Sequence, residues 1–489
     1  MKIPASEVLL LLALIIPVVG SFFIFLCRKY PNVREGITLI TGIALFANVS
    51  LIASRVFTGE RPEFVLAEPF SGFTLSLAVE PLGMLFALLA SFLWIITSIY
   101  AIGYMRGHGE DNQTRFYIFF ACSIASVMGV AFAGDLLTLF VFYEVLTLMT
   151  YPLVTHSGTA EARRSGRVYL GILISTSMVF FLLAVVWTAL EVGTLAFSIG
   201  GIYPEGTEPW VLGLLLALFV FGIGKAAIMP FHRWLPAAMV APTPVSALLH
   251  AVAVVKAGVF SILKICIYIF GANSLHDLAV AEWLSLLAGF TIIAASIVAM
   301  GKDNLKARLA YSTISQLSYV TLGALLGNSA AWTGASMHMV AHAFGKITLF
   351  FCAGAILVAH HKKNVSDLDG LGRVMPFTMG AFFIGSLSIA GLPPTAGMWS
   401  KWYLVLGTVD AGELILLNVL LLSTLLNVYY LVSIPIRGFF KPLRTPVSGI
   451  KEAPLPCLIA IGVTTTITVG LFIYPEHLFQ AVSGLVTTW

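Results

Sequence analysis

The chain has 489 residues, of which 59% are hydrophobic and only 10% charged, with 27 basic and 23 acidic side chains and a net charge of +4. Soluble domains carry about 25% charged residues, so a soluble globular protein is excluded. The small positive charge comes without a basic-aromatic pattern, so nucleic acid is not an expected partner.

Apolar stretches near twenty residues recur from end to end, the length that crosses a hydrocarbon core of about 30 Å. Fourteen spans are predicted, at 7–27, 36–54, 82–103, 115–133, 135–155, 167–190, 211–229, 243–270, 282–301, 307–326, 331–359, 375–407, 412–436 and 453–474. The opening "MKIPASEVLLLLALIIPVVGSFFIFLC" lacks a clear small-residue cleavage site and is expected to be the first span, not a signal peptide. No soluble domain is expected between spans. Cys27, Cys122, Cys266, Cys352 and Cys457 stand singly, without CxxC or metal-ligand spacing, as packing residues do.

Loop charges orient the spans. With the N-terminus outside, the inner loops include "RKYPNVRE", "EARRSGR", "KDNLKAR", "HHKKNVSDLDGLGR" and "RGFFKPLRTPVSGIKE". The outer loops carry Glu60, Glu63, Glu68, Glu191, Glu205, Glu208, Asp410 and Glu413. This separation obeys the positive-inside rule and predicts both termini outside.

Two halves of the chain echo one another. "GDLLTLFVFYEVLTLMTY" (134–151) and "KDNLKARLAYSTISQLSY" (302–319) align without gaps, matching Asp135 with Asp303, Leu137 with Leu305, Tyr143 with Tyr311 and Tyr151 with Tyr319. "KAAIMPFHRW" in span 7 and "GLPPTAGMWSKW" in span 12 each break a helix, at Pro230 and at Pro393 and Pro394. Equivalent spans lie five apart, so the second copy enters from the opposite side. Inverted repeats with broken helices point to transport near the midplane. The expected fold is an all-α polytopic membrane protein of about fourteen helices, with inverted five-helix repeats in spans 4–8 and 9–13. Its segments are 1–110 (three N-terminal helices), 111–272 and 273–436 (the repeats), and 437–489 (a C-terminal helix).

Ionisable residues inside spans carry the chemistry. They are Glu144 in span 5, Lys225 before the break of span 7, His250 and Lys256 in span 8, His338, His342 and Lys346 in span 11, and Lys401 after the break of span 12. A charge at bilayer depth costs at least about 2.5 kcal/mol, so such residues are rare and usually functional. His338, His342 and Lys346 follow at four-residue steps and share one helix face. His250 and Lys256 project about 120° apart on a regular helix. Groups that both donate and accept protons in this way suit a relay. They suit a metal site poorly, because no carboxylate accompanies the histidines of span 11, and neither metal nor cofactor is expected. The break at Pro230 is expected to free carbonyls that let an ammonium exist at Lys225. Blander readings stay open: an ion pair between Glu144 and Lys225, a purely structural His338, and a Lys401 that snorkels to an interface. Lys264 and the pair His232–Arg233 read as interfacial.

The motifs "FVFYEVLTLMTYPL", "GKAAIMPFHRWLPAAMVAPTPVSALLHAVAVVKAGVF", "LKARLAYSTISQLSY", "HAFGKITLFFCAGAI" and "GLPPTAGMWSKW" occur in order over residues 80–435. In them the chain resembles the antiporter-like membrane subunits shared by respiratory complex I, membrane-bound hydrogenases and multisubunit Mrp cation/proton antiporters. In length it resembles the shorter members, such as the D subunit of Mrp antiporters. The resemblance implies fourteen helices, two inverted repeats and a polar axis along the membrane plane. On that axis Glu144 and Lys225 pair, His250 and Lys256 lead inward, His338, His342 and Lys346 form the central link, and Lys401 ends the second repeat. Asn304 stands where many relatives carry an acid, a role Asp303 is expected to fill, and Lys401 replaces the glutamate of some members. The implied function is proton translocation within a hetero-oligomeric Na+ or K+/H+ antiporter of a prokaryotic inner membrane, with membrane subunits, the ions and lipid as partners. The alternatives are a membrane subunit of a redox-driven complex and an inert helical scaffold. The chain is not expected to be an enzyme in its own right.

Overall fold

A computed structural model describes residues 6–276, 278–443 and 449–483. Both termini, whose sidedness the loop charges predict, lie outside the described residues, as does 444–448 of the last basic loop.

Among the described residues fourteen helical segments correspond to the predicted spans, eleven of them long and apolar enough to cross a membrane. They are α1 (Ser6–Leu26), α2 (Pro31–Val56), α3 (Pro81–His108), α4 (Gln113–Ala131), α5 (Leu136–Val154) and α6 (Ala160–Val192). The seventh, α7, is broken: Pro209–Gly222 is followed by an irregular stretch and a short return at Trp234–Ala237. Then come α8 (Thr243–His276), α9 (Ala279–Gly301), α10 (Leu305–Leu325) and α11 (Ser329–His360). Segment α12 is again broken, into Pro376–Ala390 and Gly397–Asp410, and α13 (Leu414–Phe440) and α14 (Leu455–Ile473) complete the set. A short helix, α15 (Glu476–Ser483), follows.

One feature lies outside the helical expectation. Glu63–Phe70 (β1) and Phe73–Ala78 (β2) pair antiparallel as a hairpin between α2 and α3. Its sequence, "EFVLAEPFSGFTLSLA", alternates too irregularly to read as strands. Ser6 at the start of α1 donates from its Oγ to Glu60 Oε2 at 2.7 Å, so α1 begins on the hairpin face.

Burial does not follow hydropathy. The most apolar helix, α1, has a third of its central window buried, whereas that of α8 is wholly buried and that of α11 is 94% buried. Hydrocarbon rewards apolar side chains on the outside, so the most apolar helix takes the periphery. The two helices that carry the histidines need protein on every side.

The two breaks are built from local chemistry. After Gly222 the chain makes one tight turn, Gly224–Ala226, and Ala227 adopts a left-handed φ of +56°. Trp234 Nε1 donates to Gly224 O at 2.9 Å and so satisfies a carbonyl released by the break. Helix α8 packs so closely on this turn that a Cβ at Gly258 would strike the backbone of Lys225 and Ala226. In α12, Gly391 ends the first half with φ +82°, a conformation that favours glycine. Ala396 N then donates to Thr468 O of α14 at 3.0 Å.

Helices α5 and α10 open on equivalent caps, one residue out of step with the ungapped sequence match. Asp135 caps α5, accepting from Thr138 N at 2.7 Å, and Asp135 bridges backbone to Ala196. The residue doing the same for α10 is Asn304, which accepts from Ala307 N at 3.0 Å and bridges to Asn364. Structurally, Asp135 therefore matches Asn304, not Asp303. Asp303 instead ties two loops together, accepting from Ser366 N at 2.9 Å and Ser366 Oγ at 2.7 Å. The Ser366 hydroxyl and amide hold its carboxyl below the usual carboxylate range.

Asp135 also accepts from Ser76 N and Ser76 Oγ, at 3.0 and 2.7 Å, and so fastens the hairpin to α5. Loss of a cap costs about 1 kcal/mol, and each buried donor left unpaired adds about 1–3 kcal/mol. Asp135→Ala should therefore destabilise the protein by about 2–4 kcal/mol, whereas exposed Asp303→Ala should cost clearly less. Thermal unfolding of the detergent-purified variants checks the order, and equal losses would refute this account of the clamp.

Candidate functional site

Of the eight sequence-predicted residues, every one is buried, with Glu144 at 8% and Lys401 at 7% the most exposed. They lie on five segments, α5, α7, α8, α11 and α12, and fall into two groups, with Lys346 and His250 apart from both.

The first group surrounds Lys225. Its Nζ donates to Tyr143 O at 2.8 Å and to Thr147 Oγ1 at 2.6 Å, and it lies 3.1 Å from the centre of the Tyr143 ring. Its backbone N donates to Tyr143 Oη at 3.0 Å. The ammonium is thus held by one turn of the unbroken α5: a carbonyl, a hydroxyl and an aromatic face. This corrects the expectation that carbonyls freed by the break would hold it. Glu144 stands beside this turn with neither carboxylate oxygen hydrogen-bonded within the protein. Among the described residues no ion-pair contact within 4 Å joins it to Lys225.

The second group crosses from α8 to α12. Lys256 Nζ lies 2.6 Å from His342 Nδ1. The His342 and His338 rings are 6.0 Å apart on α11, as the four-residue spacing predicts. His338 Nδ1 lies 2.9 Å from Ser400 Oγ on the second half of α12, next to Lys401. Tyr319 stacks on His338 at 5.5 Å and presents its ring 4.6 Å from Lys401 Nζ. Lys401 Nζ also donates to Ala390 O at 3.2 Å, the last residue of the preceding half-helix. Here an orphaned helix carbonyl does hold an ammonium, and the negative end of the helix dipole adds to the attraction. Lys401 is enclosed and does not snorkel.

Two residues stand aside. Lys346 Nζ donates to Ser312 Oγ of α10 at 2.7 Å, and Ser312 accepts from Tyr430 Oη of α13 at 3.1 Å. Asn427 Oδ1 is also within reach of Tyr430 Oη and competes with Ser312 for its single proton. Lys346 thus opens a branch toward α13 and does not close on the histidines. His250 sits in a π-helical turn, Leu248–Val252, against Phe350, with neither ring nitrogen hydrogen-bonded. Local π turns recur at functional sites.

Thr147, Ser400, Ser312 and Tyr430 escaped the sequence reading. Serine and threonine in these helices commonly bond their own backbone four residues back, as Ser261, Ser296 and Thr348 do. A hydroxyl that also meets a lysine or a histidine, as Thr147 and Ser400 do, leaves no separate signal in the sequence. Lys264, expected at an interface, is fully buried and pairs with Glu80 at 2.6 Å. An acid directly before a helix-opening proline, Glu80–Pro81, was the available hint. Arg233, by contrast, is exposed as expected. Among the described residues no cluster of three metal-ligating side chains occurs.

Residues 133–427 match the family described as NADH:quinone oxidoreductase/Mrp antiporter, TM. A relative, NADH-quinone oxidoreductase subunit N of Desulforudis audaxviator, is 33% identical over 439 residues, covering 88% of this chain and 86% of its own. The A subunit of the Na(+)/H(+) antiporter of Alkalihalophilus pseudofirmus is 29% identical, and the match spans 96% of this chain but 60% of that longer protein. A chain of the Mrp complex from Dietzia sp. DQ12-45-1b superposes with a TM-score of 0.85 over 98% of this chain and 96% of that one, at 20% identity. A chain of an archaeal membrane-bound sulfane sulfur reductase does so with the same score at 22% identity. The shared fold therefore extends over nearly the whole length, and the broken α7, the histidine-bearing α8 and α11 and all of α12 fall inside the family match. The chain belongs to the NADH:quinone oxidoreductase/Mrp antiporter transmembrane family, the antiporter-like membrane subunits of ion-translocating complexes.

Proposed function

We propose that the chain is the proton-translocating subunit of a multisubunit monovalent-cation/proton antiporter, moving protons along the row from Glu144 and Lys225 to Lys401. The observation that carries this reading is the 2.6 Å contact of Lys256 Nζ with His342 Nδ1. It links two fully enclosed helices, and each partner can give or take one proton. Glu144, free of hydrogen bonds, sets the charge felt by Lys225. Lys256, His342 and His338 pass protons by donating and accepting in turn, and Lys401 exchanges with one face. The side to which both termini belong follows, in this reading, from the loop charges.

A second reading, a membrane subunit of a redox-driven complex, draws on the likeness to NADH-quinone oxidoreductase subunit N. Electrons would then be carried by partner subunits.

Proton flux in everted vesicles holding the whole complex, driven by a sodium or potassium gradient without an electron donor, separates the readings. Cation-driven flux that falls at least about tenfold in Lys225→Ala and in Glu144→Ala supports the antiporter, in keeping with the size of single acid–base contributions. Flux that appears only with a reductant supports the redox-driven complex. Native flux in both variants would leave an inert scaffold.

Ser400→Ala removes the hydroxyl that meets His338 and should slow flux severalfold, with Ser400→Thr recovering most of it. Equal flux in the alanine and threonine variants would remove Ser400 from the path.

A further inference from the structure

The buried pair of Glu80 and Lys264 is not part of the row, yet it sits beneath an opening. Lys264 is fully buried on α8, with Nζ 2.6 Å from Glu80 Oε1 and donating to Ala133 O at 2.7 Å. The Phe197 and Phe260 rings lie 4.6 and 5.5 Å from the same nitrogen and close it off on the apolar side. Glu80 is different: 17% of its side chain is exposed. It lines a cavity of about 240 Å³ on the hairpin face, bordered also by Arg61, Glu63 and Tyr268. A simple buried staple needs no such opening, and a dry ion pair is a poor source of stability.

Three helices meet near this cavity, and two of them, α5 and α8, carry residues of the row, while α3 begins at Pro81 in its lining. Lys256 is eight residues from Lys264 on α8, about 12 Å at 1.5 Å per residue. Glu144 is nine residues beyond Asp135, the cap of α5 at the cavity's edge, about 13 Å by the same rise. Asp135 is engaged with Ser76 and Thr138 and so is fixed in position. Lys264 is also followed at once by a π-helical turn, Cys266–Phe270.

Resting on the proton-transport reading above, we propose that Glu80 and Lys264 form a proton port on the hairpin face, where protons exchange between α8 and the aqueous cavity. In the outward step an N–H bond of the Lys264 ammonium breaks and an O–H bond forms on Glu80. The carboxylic acid then releases that proton to cavity water, and neutral Lys264 takes another from within. The reverse order loads the port.

The test compares the intact complex carrying the native chain, Glu80→Gln, Glu80→Asp, the double variant Glu80→Gln/Lys264→Gln, and Lys225→Ala. Assembly is quantified for each, and flux is read against pH. The port predicts at least about a tenfold loss in Glu80→Gln and in the assembled double variant, with Glu80→Asp active but shifted in its pH profile. Native flux in Glu80→Gln, or recovery of flux in the double variant, would reduce the pair to a structural staple. If neither glutamine form assembles, an unshifted Glu80→Asp profile overturns the port. Native flux in Lys225→Ala instead removes the relay on which the port depends, whereas loss there beside native flux in Glu80→Gln removes the port alone.

Discussion

A charge inside hydrocarbon must be covered by protein, and this requirement arranges everything else. Five of the eight row residues lie on α8 and α11, so those two helices take the centre of the molecule. The apolar helices that hydropathy identifies most easily are pushed to the outside. Large hydrophobic side chains such as Phe22, Phe23, Leu421 and Leu425 then face outward, where lipid or another subunit receives them. The core thus holds the ionisable residues as well as apolar packing, while much of the outer surface is apolar too.

Centrality alone does not satisfy an ammonium, and the two broken helices solve that problem differently. At α12 the break supplies the acceptor directly, since Ala390 O points at Lys401. At α7 the break instead bends the chain so that Lys225 reaches across to α5, where Tyr143 and Thr147 receive it. Gly258 permits the close approach of α8 that seals this turn. The same sequence device, proline after an apolar run, therefore yields two binding modes. Only the surrounding helices decide which.

The spans and breaks were legible because period, length and proline act locally. All fourteen predicted spans find a segment, and the irregular stretches fall at the prolines that mark them. The hairpin was not legible, because its fastening depends on Asp135, far along the chain. Within the site, the four-residue spacing on α11 correctly placed His338 beside His342. It did not foresee Lys346 turning to Ser312, since a shared face does not fix which neighbour a long side chain meets. The burial of Lys264 was missed for a related reason: near the end of an apolar run, an interfacial lysine and one paired beneath a hairpin look alike.

The one-residue correction to the repeat has a chemical consequence. With Asp135 matched to Asn304, Tyr143 corresponds to Ser312 and Glu144 to Thr313. The second repeat thus has no carboxylate at the place where the first keeps Glu144. Ser312 nevertheless serves a lysine, Lys346, as the Tyr143 turn serves Lys225. Of the eight row residues Glu144 alone is acidic, so full protonation would leave mutually repelling charges in a medium that screens them weakly. Protons on such a row are held jointly, and placing one makes the next more costly. In the proposed relay, a change of charge at Glu144 bears first on its neighbour Lys225.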